Sequence, residues 1–240
     1  MHTSLIARIA GVIASLAVLA FAGMPIAARL GWLPGELSFR VFMLGALLGA
    51  VALVMGVMAL WATRRASGRS GRGAALFACL AGLAITGVVA YSAGSVAALP
   101  VINDISTDLE DPPAFSALAR VPANAGRDMG HPGEEFARQQ RAGYPELGPI
   151  ELDATPAAAF EQALAAMESF GWEIVRADRE RGEIEATETT ATFRFVDDIA
   201  VRVRGRGPGA RIDVRSKSRD GKGDLGANAA RIRRLHDALG

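Results

Sequence analysis

Long apolar runs fill the first hundred residues and stop at about Pro100. Three of them reach the ~18 residues needed to cross a hydrocarbon core of roughly 30 Å, and they cover residues 5–24, 41–61 and 74–99. Arg8 stands near the start of the first run, where its long side chain can reach the membrane interface. The pattern predicts a membrane anchor of three transmembrane helices in residues 1–100.

Residues 101–148 show no regular period and predict an irregular, proline-rich lead-in. Together with Pro149 they hold six of the eleven prolines. The few large apolar side chains in this stretch are expected to dock on the domain that follows, and they are Phe115, Leu118, Phe136 and Tyr144. A short helix is predicted over residues 133–141, because two glutamates favour its N-terminus.

Regular patterns return in residues 149–240. Thr155 and Pro156 are typical of a helix start, and Gly171 is typical of a helix end. Strand patterns cover residues 150–152, 172–177, 182–189, 192–195, 199–204 and 211–216. Asp224 is the predicted N-cap of a last helix, whose apolar stripe is Leu225, Ala229, Ile232, Leu235 and Leu239. The pattern predicts an α+β domain, an antiparallel sheet of about four or five strands with two helices on one face.

Charge divides the chain at the same place. Residues 1–100 contain seven Lys or Arg and one acid, whereas residues 101–240 contain nineteen Lys or Arg and twenty-four acids. The loop at residues 63–73 carries four arginines, and the loop at 25–40 carries two arginines and Glu36. By the positive-inside rule, the N-terminus is cytoplasmic and residues 101–240 lie outside, in the periplasm of a bacterial inner (plasma) membrane. A cleaved signal peptide ending near residues 20–22 is an alternative for the first run.

Several classes of chemistry lack support in the sequence. Cys79, the only cysteine, lies in the third apolar run, so no disulfide or thiol catalyst is expected outside the membrane. His131 and His236 are isolated and lack the spacing of metal ligands. No nucleophile motif and no nucleic-acid motif is present. We therefore expect no cofactor, no metal site and no catalytic residue.

Alternation assigns the last two strands to faces. Ile199, Val201, Val203, Ile212 and Val214 face the helices, and the opposite face carries Arg202, Arg204, Asp213, Arg215 and Lys217. A symmetric turn at residues 206–209 pairs Arg202 with Asp213, and it opposes Arg204 to Arg211, which requires an anion or a carboxylate between them. A solvated face with surface ion pairs is the favoured interpretation, and an anion-binding face is the alternative.

The polar loop at residues 216–224 leads into the last helix and is the candidate ligand site. Asn228 falls within the apolar stripe of that helix and is expected to be buried and to fix the loop. The candidate ligand-binding residues are Arg202, Arg215, Ser218, Arg219, Asp224 and Asn228. A structural polar network is predicted for Asp197, Asp198, Asp213 and Arg231.

Several distinctive short motifs are spaced along residues 101–240. They include NDIST at 103–107, DPPAF at 111–115, GWEI at 171–174, FVDDI at 195–199 and DVRSKSR at 213–219, followed by Gly221, Asp224, Gly226, Asn228 and RIR at 231–233. In these motifs the chain resembles the domain-of-unknown-function family numbered 1499. The resemblance implies no activity, and it implies that residues 215–231 act as one unit of strand end, loop and helix start.

Two functions remain open from the sequence. The first is a non-enzymatic envelope protein that displays a binding or scaffolding domain, with the lipid bilayer and another envelope protein or an anionic ligand as partners, and no nucleic acid. The second is an envelope hydrolase or transferase acting on an anionic lipid or a cell-wall fragment. In that case Arg215 and Arg219 would clamp the substrate, and Asp198 or Asp224 would serve as acid or base.

Overall fold

Three helices that are long and apolar enough to span a membrane begin the chain. In the computed structural model, which describes residues 4–64 and 70–240, they are α1 (Leu5–Arg29), α2 (Gly35–Ala62) and α3 (Arg72–Val96). The prediction of three spans is confirmed. Residues 65–69, which contribute to the arginine-rich loop used for the predicted orientation, lie outside the described residues.

Small residues line the contacts among these helices. A Cβ added at Gly45 would lie 2.7 Å from the main-chain nitrogen of Phe21, and one added at Gly56 would lie 2.7 Å from that of Cys79. The side chains buried between the helices are mainly alanines: Ala7, Ala10, Ala14, Ala52, Ala59, Ala75 and Ala78. Gly87 of α3, by contrast, is exposed with open space around it. Close main-chain approach at small residues therefore holds the three helices together.

The chain divides into two compact units, Met1–Ala97 with Ala191–Arg194, and Ala98–Thr190 with Phe195–Gly240. The second unit contains a six-stranded antiparallel sheet. Its strands are β1 (Asp104–Ser106), β2 (Ile150–Leu152), β3 (Glu173–Asp178), β4 (Glu183–Thr189), β5 (Val196–Arg206) and β6 (Gly209–Ser218). They lie in the order β1-β6-β5-β4-β3, and β2 also pairs with β6. β1 lies in the lead-in, where no strand was predicted.

One strand prediction is wrong and one hairpin prediction is confirmed. Residues 192–195 do not form a strand, since β5 begins at Val196 and Arg194 has φ of +57°. The β5–β6 register pairs Arg202 with Asp213 and Arg204 with Arg211, which confirms the predicted hairpin.

Two helices cover one face of the sheet, which we call the helix face. They are α5 (Pro156–Ser169) and α6 (Ala227–Leu239). The Thr155 hydroxyl accepts a hydrogen bond from the Ala158 N–H at 3.2 Å, which confirms the predicted start of α5. The core between helices and sheet includes Phe160, Leu164, Met167, Ile184, Ile199, Val201, Ile212, Val214, Ile232 and Leu235. Leu225, predicted in the apolar stripe, is instead exposed and precedes α6.

Irregular chain covers the opposite face, which we call the outer face. Residues 107–131, named the strap here, contain two short 3₁₀ helices, Leu118–Arg120 and Pro122–Asn124. Phe115 and Leu118 of the strap are buried against Ala200 of β5. The favoured expectation of a solvated outer face is therefore wrong, because the strap excludes water from most of it. α4 (Glu134–Gly143) follows the strap close to its predicted position.

Candidate functional site

The residues predicted to bind a ligand are divided between the two faces of the sheet. The outer face has Arg202, Arg215 and Arg219. The helix face has Ser218, Asn228 and, at the start of α6, Asp224. Because the sheet separates the two groups, these six residues do not form one pocket.

A cluster of arginines on the outer face surrounds Asp213, which is fully buried. Its carboxylate accepts hydrogen bonds from Arg204 and Arg211 at 2.8 Å each and from Arg202 at 3.3 Å. Asp108 of the strap accepts a further bond from Arg211 at 2.9 Å. The carboxylates that the Arg204–Arg211 register requires are therefore supplied by the protein itself.

Asp108 remains ionised at this position. Burial raises its pKa, but hydrogen bonds from the N–H groups of Asp111 and Glu110 and the charges of Arg211 and Arg202 bring the pKa below its ordinary value. With the nearby carboxylate of Asp111, which pairs with Arg202 at 3.1 Å, three acids face three arginines. The cluster is balanced in formal charge.

Asp104 of β1 and Arg215 of β6 form a second buried pair on the outer face. Two bonds at 2.9 and 2.7 Å join the carboxylate to the guanidinium, and Lys217 donates to the same carboxylate at 2.9 Å. Burial raises the pKa of Asp104, but the hydrogen bonds and charges of Arg215 and Lys217 outweigh it and lower the pKa. The Arg215 guanidinium also stacks over the Phe115 ring at 4.6 Å and donates to the carbonyl of Pro113 at 3.2 Å. Arg215 therefore fastens the strap to the sheet.

Glu185 of β4 holds the strap at a second point. Its carboxylate accepts hydrogen bonds from the main-chain N–H groups of Ser116, Ala117 and Leu118 at 2.8–3.1 Å. These N–H groups precede or begin a 3₁₀ helix and have no helical acceptor of their own. A buried carboxylate thus satisfies main-chain donors that water cannot reach.

Asp197 and Asp198 are adjacent in β5 and point to opposite faces, so they do not form an acid–base pair. Asp198 accepts a bidentate pair of bonds from Arg219, from Nε to Oδ2 at 3.1 Å and from Nη2 to Oδ1 at 2.6 Å, and a bond from the Asn124 amide at 2.8 Å. The structure thus pairs Asp198 with Arg219, the residue that follows β6.

Asp197 lies in a polar cluster on the helix face, centred on Arg231 of α6. Arg231 donates to Asp197 at 2.7 Å and to the side chains of Asn228 and Ser216 at 2.8 and 2.9 Å. Burial raises the pKa of Asp197, and the charge of Arg231 offsets this only in part. Asn228 is fully buried, as predicted, and its amide donates to Ser218, within the loop at residues 216–224 that it was expected to fix, and to the Asn103 carbonyl.

The start of α6 differs from the predicted one. The helix begins at Ala227 with Gly226 as N-cap, so Asp224 is not the N-cap residue. Its carboxylate nevertheless accepts hydrogen bonds from the N–H groups of Gly226 and Asn228 at 2.9 and 2.8 Å. Gly226 has φ of +86°, a conformation that favours glycine. The helix N-terminus is thereby occupied by the protein's own carboxylate.

An open cleft of about 220 Å³ lies between the strap and the end of β6. The charged and amide side chains in its wall are Asn103, Asn124, Arg127, Asp128, Asp198, Lys217 and Arg219. Of the six predicted ligand-binding residues, Ser218 and Arg219 line this cleft. The arrangement offers hydrogen bonds and charge to a small polar group.

Metal-ligating residue types do not cluster in the part of the chain that the structure describes. Within the described residues, 4–64 and 70–240, no group of three or more His, Cys, Asp or Glu could hold a metal ion. Burial lowers the pKa of His131, Asp104 raises it, and Arg215 and Lys217 lower it further, so the net shift favours the neutral ring. His131 Nδ1 accepts a bond from the Gly133 N–H, and the nearby Asp104 carboxylate is engaged by Arg215 and Lys217.

Sequence reasoning missed what β1 and the strap contribute to the site. Asp104, Asp108 and Asn124 were not singled out as site residues, although Asp104 falls within the NDIST motif. Each contacts a charged residue at least 70 positions away in the sequence. The only available signal was the presence of polar residues in the lead-in motifs, such as NDIST at 103–107.

Comparison with known families gives one match. The family described as "Protein of unknown function (DUF1499)" matches residues 104–239, more than half of the chain. No curated protein matches the chain.

Proposed function

This chain belongs to the DUF1499 family of proteins of unknown function, and we propose that it is a membrane-anchored binding or scaffolding protein. In this proposal the three helices span a bacterial inner membrane, with the N-terminus in the cytoplasm. The α+β domain is displayed in the periplasm, where its partner is another envelope protein or an anionic ligand.

The charge distribution of the short loops supports this orientation. Four arginines in residues 63–73 contrast with two arginines and one glutamate in residues 25–40. Loops rich in Lys and Arg stay in the cytoplasm. Because an odd number of spans separates the N-terminus from the domain, the two lie on opposite sides.

The pairing of the buried carboxylates carries the choice of binding over catalysis. Asp104, Asp198, Asp213 and Glu185 are each at most 2% exposed, and each accepts two or more hydrogen bonds from arginines or main-chain N–H groups. Carboxyl groups held in this way already have their oxygens engaged by the protein, whereas a general acid or base must be free to contact the proton that it transfers.

The hydrolase or transferase alternative receives less support. It required Asp198 or Asp224 beside the clamps Arg215 and Arg219. Asp198 is bound by Arg219 itself, and Asp224 holds the start of α6 on the other face of the sheet. The four residues therefore do not converge on one substrate position.

Thiol labelling in cells tests the orientation. In a Cys79→Ala background, a cysteine placed at Lys222, which is exposed, should react with a membrane-impermeant maleimide. A cysteine placed at Ser70 should react only after the cells are permeabilised. The reverse pattern would contradict the periplasmic placement.

Crosslinking in cells tests the binding role. A photo-crosslinking residue at Lys222 should capture a defined envelope component, whereas the same residue at Arg181, which is also exposed, should not. Identical products from both positions would indicate random collision and contradict a specific partner near the polar loop.

A further inference from the structure

The cleft between the strap and the end of β6 gathers three cations from two chain segments. Arg127 comes from the strap, and Lys217 and Arg219 come from the end of β6 and the residue after it. The carboxylates in the same wall are Asp128 and Asp198. The wall therefore carries one excess positive formal charge.

Ion pairs fix two of these cations and leave donors unused. Arg219 gives its Nε and one terminal nitrogen to the buried Asp198, and its Nη1 has no hydrogen-bond partner in the described chain. Lys217 shares Asp104 with Arg215, so two cations face one carboxylate, and its other contact is a long 3.4 Å bond to the Gly130 carbonyl. Positioned donors of this kind lose little side-chain entropy when a ligand binds.

The same wall contains acceptors that call for a hydrogen-bond donor on the ligand. Asn124 is 1% exposed, and its amide nitrogen donates to Asp198 and to the Leu118 carbonyl. These two contacts fix the orientation of the amide, and they leave Oδ1 without a donor among the described residues. Asp128 is exposed and adds an ionised acceptor. A buried acceptor without a partner costs about 1–3 kcal/mol, which a donor group nearby would recover.

We propose that this cleft binds a ligand with a phosphate group and a hydroxyl. The hydroxyl is bonded either to the phosphorus or to a carbon atom close to the phosphate. The phosphate oxygens accept from Arg127, Lys217 and Arg219, and the hydroxyl donates to the exposed carboxylate of Asp128. Sulfate has a similar shape and charge but carries no proton near neutral pH, so the acceptors in the wall repel it. Selection by an unpaired acceptor is a strong form of discrimination.

This inference rests on the proposed binding role and names the ligand class for it. The phosphate has two chemical sources, a soluble phosphate or a phospholipid headgroup with a hydroxyl. Both present the same anionic oxygens and the same kind of donor, so the site chemistry is shared.

Calorimetric titration of the full-length protein in an uncharged detergent tests the site. Inorganic phosphate should bind, and sulfate at equal ionic strength should bind about tenfold more weakly or not at all. The Arg127→Gln variant should weaken phosphate binding about tenfold with little change in melting temperature, because Arg127 is partly exposed and its contacts with Asp220 and with the carbonyls of Ala123 and Arg219 are open to solvent. Arg120→Gln is the matched control, since Arg120 is an exposed strap arginine outside the cleft wall.

The acceptor is tested separately. Asp128→Asn supplies an amide donor in place of a carboxylate, so it should tighten sulfate binding and reduce the preference for phosphate about tenfold. Asp237→Asn, at an exposed position on α6, should leave the preference unchanged. Absence of phosphate binding in the parent, equal binding of sulfate, or binding that survives Arg127→Gln would each overturn the assignment.

Nanodiscs distinguish the two sources. In phosphatidylcholine nanodiscs, added phosphatidylglycerol should compete with inorganic phosphate if a headgroup fills the cleft, and it should have no effect if the ligand is soluble. Either result keeps the phosphate assignment and identifies its source. In detergent the domain is accessible whatever its orientation in the membrane. A failed titration would therefore contradict the phosphate site without affecting the orientation, and reversed thiol labelling would contradict the orientation without affecting the phosphate site.

Discussion

The helix face and the outer face of the sheet are both largely buried, but they are buried by different means. Apolar side chains of β5 and β6 meet apolar side chains of α5 and α6 on the helix face. On the outer face the same two strands present arginines and aspartates to an irregular strap. One sheet thus carries a mainly apolar core on one side and an ionic layer on the other.

The difference follows from what each cover can offer. A helix uses most of its main-chain groups internally, so it contributes mainly side chains to the contact. The strap has few such internal bonds, and its N–H and C=O groups need partners when they are buried. Glu185 satisfies the N–H groups of three strap residues, while Arg202 and Arg215 donate to the carbonyls of Asp111 and Pro113. Charged side chains on the sheet are therefore the natural complement of an irregular cover.

The strongest test of this comparison is the removal of Arg215. Arg215→Met leaves Asp104 buried with Lys217 alone and leaves the Pro113 carbonyl without its donor. Breaking a buried ion pair on one side costs about 3–5 kcal/mol. Chemical denaturation of the full-length protein in detergent should show that loss. Ile199→Val, a mild change on the helix face of β5, is the control and should cost about 0.5–1.5 kcal/mol; an equal cost for both would refute the ionic role of the outer face.

The polar cluster on the helix face should respond next most strongly. Asn228→Leu removes the partner of Ser216, Ser218 and Arg231, and each buried group left unpaired costs about 1–3 kcal/mol. Arg233→Ala, on the exposed side of the same helix, should cost only about 0–1 kcal/mol. Melting temperatures of the two variants provide the measurement. A larger drop for Arg233→Ala would mean that the cluster contributes little.

Acid should act on the two faces in opposite directions. The folded-state pKa of Asp104 lies below 3.8, so its stabilising contribution is complete above that value and is lost as the pH falls through the folded pKa. The folded-state pKa of Asp197 lies above 3.8, so its ionisation opposes folding as the pH rises through that range, and acid relieves this cost.

Two substitutions separate these contributions. Asp104→Asn should flatten the loss of stability on acidification, and Asp197→Asn should steepen it, each relative to the parent protein. Denaturation midpoints measured from about pH 6 to about pH 3 provide the comparison. Deviations of the same sign would show that the two carboxyls do not differ in the way that their surroundings indicate.

Prediction from sequence succeeded where apolar and polar residues alternate regularly, and it failed where the sequence shows no periodic pattern. Alternation gave the two faces of β5 and β6, and the symmetric turn gave the opposition of Arg204 to Arg211. That register showed that an anion or a carboxylate must lie between the two arginines, but it did not show which residue supplies it. Asp108, which supplies it together with Asp213, lies about a hundred positions earlier in an aperiodic segment.

The site was less predictable than the fold for the same reason. Charge on a strand indicates a solvated face when its cover is unknown. Phe115 and Leu118 were expected to dock on the domain, as they do, but the sequence did not indicate that they would cover the charged face. The start of α6 was misplaced because Asp224 bonds to the first-turn N–H groups of the helix without being its N-cap, a role that Gly226 takes with positive φ. Asn124, whose neighbours are apolar or small, gave no sign that it reaches Asp198.

The smallest predicted effect concerns an arginine on the outer face beyond the reach of the strap. Arg206 lies at the end of β5 on the same face as Arg202, but its ion pair with Glu151 is more than half exposed. Arg206→Ala should therefore change the free energy of unfolding by about 0–1 kcal/mol. Arg202→Ala should cost about 1–3 kcal/mol, because it removes a donor to the Asp111 carbonyl and to the buried Asp213. Denaturation of both variants compares one residue type, on one strand and one face, with and without the strap above it. Equal costs would mean that the strap does not strengthen the ion pairs it covers.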